Sequence, residues 1–352
     1  MPHQRFPKVD ILHMSSQEIK FVLSDTDISM ANTLRRILIA EVPTLAIDLV
    51  EFHENSSCLN DEYIAHRLGL IPLRYQPNLM GNAVDSGILE DTTTTTASSN
   101  ILKGADCQDA FLSHRECVCY DRCPRCSVEF ELDVAYDANH QSMLQQQQQS
   151  DDEVLAAPLT VTSKDLISNN ETVAPAHFLE SEQDMAQDEG IAIVKLGPNQ
   201  RLKLKAIARL GISKEHAKWC PVAVATYRFW PIITINNELI QQNLTQEQKM
   251  EIIDACPDRI LELDEATGQI VAAENAWDMA TYTEDLYYCQ AAMKRRPEDD
   301  DYVKVEPSTS KFVFSVETTG CIDADEVIFA ALKVLKKRLN YLAQELENLK
   351  DM

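Results

Sequence analysis

The stretch KFVFSVETTGCIDADEVIFAALKVLKKRLNYLAQELENLK, Lys311 to Lys350, decides the fold. Its first part, Lys311 to Gly320, alternates as a strand, with Phe312, Phe314 and Val316 on one side. A helix then opens with Asp323 as N-cap and Glu326 three residues on, a capping-box pattern. Ile328, Leu332, Leu335, Leu339, Leu342, Leu346 and Leu349 follow at alternating spacings of four and three. That is an a/d seam of about three heptads. At 1.5 Å per residue the helix runs roughly 40 Å. A small sheet layer cannot cover an unbroken leucine edge of that length. The spacing therefore predicts a seam that faces a partner. The alternative is an ordinary amphipathic helix on its own core.

The other end of the chain reads as strand, strand, helix, strand. Lys8 to His13 and Ile19 to Leu23 are short apolar runs. Ser24, Asp25 and Asp27 are N-cap candidates for a helix whose apolar stripe is Met30, Leu34, Ile37 and Leu38. Pro43 stops it, and a β-rich segment, TLAIDLVEF, follows. Arg35 and Arg36 lie off the stripe, on what reads as a solvated basic edge.

Between residues 50 and 225 the texture changes. Four of the ten cysteines fall together, as Cys117-x-Cys119-x₃-Cys123-x₂-Cys126. Clustered cysteines in a chain with no apolar leader suggest metal rather than disulfides. Four thiolates suit the closed tetrahedral sulfur shell of one structural Zn²⁺, with His114 as a substitute ligand. A closed shell leaves no position for water, so the site folds a loop and does no chemistry. SVEFELDV continues from it as a strand. Thr92 to Asn100 and Gln145 to Glu153 are polar tracts that cannot build a core, the second of them within a polar and acidic insertion at about 137–190. Leu202, Leu204, Ala206 and Ala208 alternate with Lys203, Lys205 and Ile207, as in a sheet with one covered face. Arg201, Lys203, Lys205, Arg209, Lys214 and Lys218 form a basic strip: a solvated strand face, a docking surface for an acidic partner or, as a weaker third option, a direct nucleic-acid contact. Residues 236–306 add a helical piece and a hairpin with Thr267-Gly268 at its turn.

Composition excludes several classes. The 352 residues carry 32 Lys and Arg against 56 Asp and Glu, a net charge of −24, so the chain as a whole does not grip a nucleic-acid backbone. No segment reaches the ~18 apolar residues of a membrane span. P-loop, dinucleotide-binding, nucleophile-elbow and zinc-protease motifs are absent from the sequence. Cys256-Pro257 lacks the upstream cysteines of an iron–sulfur run.

SMANTLRRILIAEVPTLAIDLVEF, NDEYIAHRLGLIPL (Asn60 to Leu73), the Cys117–Cys126 cluster, TSKDLIS (Thr162 to Ser168) and KEHAKW (Lys214 to Trp219) occur together and in this order. The chain thereby resembles the third-largest subunits of eukaryotic RNA polymerase II, in a plant-type form, within the family of the bacterial α subunit's N-terminal domain. The resemblance covers nearly the whole chain. It implies an α+β fold with an α-subunit-like dimerisation domain built from both chain ends, 1–49 and 225–352, the latter including the 236–306 extension. An inserted, mainly-β, zinc-containing domain would occupy 50–224. It implies a non-catalytic assembly subunit in the nucleus, whose last helix pairs with a small α-like subunit through Ile328, Leu332, Leu335, Leu339, Leu342 and Leu346. Arg35 and Arg36 would then meet the second-largest subunit. Small zinc-binding core subunits are further implied partners, and DNA is met only through the complex. The zinc cluster favours polymerase II over the sister subunit of polymerases I and III.

Overall fold

A computed structural model describes residues 6–76, 110–136, 158–176, 190–255, 261–264, 267–273 and 303–350. The two polar tracts, most of the 137–190 insertion and Cys256-Pro257 lie outside the described residues. The fold is α+β and rich in sheet. No described helix is long and apolar enough to cross a membrane.

The chain divides into two compact units, each drawn from separated segments. One comprises 13–20, 33–226 and 315–352. Its centre is β10 (Arg201–Ile212), flanked antiparallel by β3 (Pro43–Asn55) and β5 (Ser127–Ala135), with β7 (Ile167–Ser168) outside β5. Alternation does the work expected of it: Leu202, Leu204, Ala206 and Ala208 of β10 and Val128, Phe130 and Leu132 of β5 are buried. Ile207 lies on the opposite face of β10 from Ala206 and Ala208 and is also buried, so at this point both faces of the strand are covered. Helix α2 (Asp61–Gly69) lays Ile64 and Leu68 on this core. Two short ribbons close it, β4 (Leu73–Tyr75) with β8 (Val173–Pro175) and β6 (Leu159–Thr162) with β9 (Ala192–Leu196).

The other unit comprises 1–12, 21–32 and 227–314. Strands β1 (Lys8–Met14), β2 (Glu18–Ser24), β14 (Val303–Thr318) and β11 (Val222–Ile235) lie in the order β1-β2-β14-β11. Phe21 stacks on Phe314 at 5.0 Å, and Tyr227 meets Phe312 edge-on at 5.7 Å. Such pairs contribute beyond their buried area. The 236–306 extension has a small core of its own: Ile240, Leu261, Ile270 and Val303. It is made by α3 (Asn237–Asn243), α4 (Gln246–Ala255) and the hairpin β12 (Leu261–Asp264)–β13 (Gln269–Ala272). Gly268 turns that hairpin at φ +62°.

Helix α1 (Ile28–Ala40) is capped by Asp27, whose Oδ1 accepts the Met30 N–H at 3.0 Å. Its buried stripe is Ala31, Leu34, Ile37 and Leu38. Met30, expected on that stripe, is exposed, and Ala31 stands in its place one residue round the helix. Contacts group 33–49 and 315–352 with the middle of the chain. The division into 1–49 plus 225–352 around 50–224 is a different partition, taken up below as a proposal.

Candidate metal centre and subunit interface

The cysteine knuckle hangs between two fixed points. Phe111 is buried in the core of the larger unit and meets Tyr75 edge-on at 5.6 Å. At the other end Ser127 begins β5. Between them the Leu112 N–H donates to Arg125 O at 2.8 Å, and Cys123 O accepts from the N–H groups of both Cys126 and Ser127 at 3.0 Å. The loop is thus folded back on itself by its own backbone. The Sγ atoms of Cys117, Cys119, Cys123 and Cys126 all lie within 4.8 Å of one another. Cys117–Cys123, Cys119–Cys126 and Cys123–Cys126 are each 3.6 Å apart. Zinc–sulfur bonds of about 2.3 Å in a tetrahedron require sulfur–sulfur edges of ~3.8 Å. The donor set therefore fits a tetrahedral thiophilic ion. His114 is not among the clustered ligands. The sulfurs share protons unequally. The Arg125 backbone N–H pulls Cys123 down to about 6, whereas hydrogen bonding to Cys117 pushes Cys119 up to about 12. Burial raises Cys126.

Because Cys117 and Cys119 both face inward, the residues between and after them face out. Val118 is 98% exposed and Tyr120 is fully exposed. Arg122, which the sequence reading passed over, braces the loop from beneath: its Nη1 donates to Glu51 at 3.0 Å and its Nε lies 3.5 Å from Glu129. Nothing in the spacing of the motif announces that role.

The last helix, α5, spans Ala324–Lys350. Its first half carries four buried residues, Ala324, Val327, Ala330 and Ala331. Ile328 and Leu335 are half-buried. The rest of the leucine seam is open: Leu332, Leu339, Leu342, Leu346 and Leu349 are 45–66% exposed. Small residues on one side of the helix make the internal contact, so the leucines are left free for another. Two ion pairs hold the helix in place. Arg74 Nη2 donates to Asp323 Oδ2 at 2.6 Å at the N-cap, and Arg338 pairs with Glu41 just beyond α1. Arg35 is half-buried and Arg36 exposed on α1.

The basic strip is largely engaged. Lys203 meets Asp133 at 3.0 Å, Lys205 meets Glu129 at 2.6 Å, and Arg201 meets Asp133 at 2.8 Å. Lys218 Nζ lies 2.6 Å from Asp48 and 4.4 Å from the Trp219 ring centre. These cations form a ladder with carboxylates of neighbouring strands, which favours the solvated-face alternative for them. Lys214 is exposed. The KEHAKW motif has a packing role that its charges obscure. The Trp219 ring lies flat on Gly211, its Nε1 donates to Arg209 O at 3.1 Å, and its carbonyl accepts from Thr44 at 2.8 Å.

Comparison with known proteins agrees with this arrangement. The family model described as the RNA polymerase Rpb3/Rpb11 dimerisation domain matches residues 20–339. The chain is 38% identical over 340 residues to subunit 3 of DNA-directed RNA polymerases II, IV and V of Arabidopsis thaliana, covering 96% of this chain and 91% of that one. It is 37% identical over 339 residues to the DNA-directed RNA polymerase II subunit rpb3 of Dictyostelium discoideum, covering 95% and 93%. Against the polymerase I and III subunit rpac1 of the same organism, identity falls to 26% over 355 residues, covering 97% and 82%. A knuckle of four clustered thiols, an open leucine seam and a match along nearly the whole chain converge: this chain belongs to the RNA polymerase Rpb3/Rpb11 dimerisation family.

Proposed function

We propose that this chain is a core subunit of DNA-dependent RNA polymerase II in the nucleus, an assembly scaffold that carries no catalytic residue of its own. The observation that carries the reading is the seam of α5, open along its outer part in a chain of a dimerisation family. A small α-like subunit docks there, along Ile328, Leu332, Leu335, Leu339, Leu342 and Leu346, with α1 beside it. Arg35 and Arg36 face the second-largest subunit, and the small zinc-binding core subunits complete the assembly. Segments 1–49 and 225–352 form the dimerisation domain, and 50–224 the inserted one. Cys117, Cys119, Cys123 and Cys126 hold one Zn²⁺, which cross-links the knuckle when bound. A residue set with four sulfurs and no open position supports that structural role. Of the basic strip, exposed Lys214 is the cation best placed for docking.

The test is co-expression of the full chain with the small α-like subunit, followed by size exclusion at about 0.3 M salt, where exposed ion pairs are screened. An equimolar heterodimer that Leu339→Asp disrupts is the expected result. A monomeric chain beside a folded partner overturns the reading.

A further inference from the structure

The flanks of the seam specify what kind of helix fits it, and the inference rests on the docking proposed above. The spacing sets Leu332, Leu339 and Leu346 at a and Ile328, Leu335, Leu342 and Leu349 at d. One flank, the e positions, is then Phe329, Lys336 and Ala343. The other, the g positions, is Ala331, Arg338 and Glu345. The two flanks differ in access. On the g side Ala331 is fully buried, and Arg338, though exposed, already has its charge paired with Glu41. On the e side Phe329 is 54% exposed, and Lys336 and Ala343 are exposed. Beyond Arg338 the g side opens, and Glu345 is exposed.

We propose that Lys336 and Glu345 select the partner of this seam. The helix that docks comes over Phe329, carries an acidic residue beside Lys336, and carries a basic residue beside Glu345. Charges at e and g set partner choice and orientation in paired helices because each lies at the rim of the apolar contact, partly shielded from water. A second copy of this chain, set parallel and in register, does not meet the requirement. It sets Ala331 against Lys336, leaving the lysine without a carboxylate and demanding a position that is already buried. The code therefore points to a chain of different sequence.

The experiment uses the full chain co-expressed with the small α-like subunit, with the dissociation constant measured at about 0.05 M and 0.5 M salt. Lys336→Glu and Glu345→Lys are each expected to weaken the pair about threefold to tenfold at low salt, with the difference closing at high salt. Lys336→Arg keeps wild-type affinity. Lys337→Glu and Glu347→Lys, on the outward side of the same helix, change net charge equally and leave affinity within about twofold. Equal losses from inward and outward reversals overturn the proposal, because net charge alone then explains them. So does a stable homodimer of the chain alone that these reversals tighten. Leu339→Asp separates the two claims. If it leaves the pair intact, the docking seam itself is wrong; if it breaks the pair while Lys336→Glu does not, only the charge code falls.

Discussion

Gly211→Ala should destabilise the larger unit by about 3 kcal/mol, and the structure says why. A Cβ at residue 211 would stand 2.3 Å from Trp219 Cε2, 2.5 Å from Cδ2 and 2.8 Å from Cζ2. Cε2 and Cδ2 are the fused atoms of a buried indole and Cζ2 is their neighbour on the six-membered ring, not the tip of a movable side chain. Ordinary carbon contact begins near 3.5 Å, so the ring must retreat by about 1 Å. Overpacking of that size costs about 2 kcal/mol. The retreat also draws Nε1 away from Arg209 O, now 3.1 Å distant, at a net loss of about 1 kcal/mol. Backbone strain adds nothing, since Gly211 does not have the positive φ of Gly190, Gly268 or Gly320. Urea unfolding of the full chain, followed by far-UV circular dichroism, should show the midpoint move down by about 1 M for a slope of about 3 kcal/mol/M. The partner variant makes the test specific. In a Trp219→Leu background the ring is gone, and adding the alanine methyl should then cost less than about 1 kcal/mol. If Gly211→Ala costs the same with and without the indole, the steric argument is refuted.

Cys126→Ser should lower metal content from one zinc per chain to well below one by atomic absorption, and open the knuckle to protease between Leu112 and Arg125 while β5 stays protected. Asp133 offers a pH test. Hydrogen bonds from Lys203 and then Arg201 hold its carboxyl below the usual carboxylate range. A carboxyl depressed in the folded state contributes stability that is present above its unfolded pKa and lost as pH falls through the folded value. Asp133→Asn should therefore reduce stability by under about 1 kcal/mol at pH 7, and wild type and variant should converge in acid unfolding once the pH has fallen below the usual carboxylate range; a gap that persists there points to packing instead. Asp27→Ala should cost ~1 kcal/mol through the lost cap on the Met30 N–H, and Asp27→Asn should restore most of it.

Period and punctuation made much of this fold legible. The alternation in β10 and β5, the stop at Pro43, the Thr267-Gly268 turn and the heptads of α5 are local signals, each written within a few residues. The four thiols were equally plain, because a metal loop takes its ligands from one short stretch. Legibility ended where the cause was distant. Met30 and Ala31 differ by about 100° around α1, and only the packed core chooses between them. Ile207 is buried on the face of β10 opposite Ala206 and Ala208, and cover on that second face comes from elsewhere in the chain. The basic strip looked available because its counter-charges, Asp48, Glu129 and Asp133, sit on other strands. The Arg338–Glu41 pair and the Trp219–Gly211 contact were invisible for the same reason.

The central place of β10 has a consequence for synthesis. In β3, Asn55 waits for Leu202, about 150 residues later in the chain. At ribosomal rates of about 5–20 residues per second, that is a delay of roughly 8–30 s. Throughout it β3 and then β5 are made without the strand that joins them, and the apolar rows of Leu45, Ala46, Ile47, Val128 and Phe130 have nothing to close on. The knuckle, closed by bonds within one short stretch, can form before β10 completes the sheet beside it. Nascent chains of this protein should therefore pass through an interval, between synthesis of the cysteine loop and of β10, with the loop formed and this sheet still open, and a holdase would find them there.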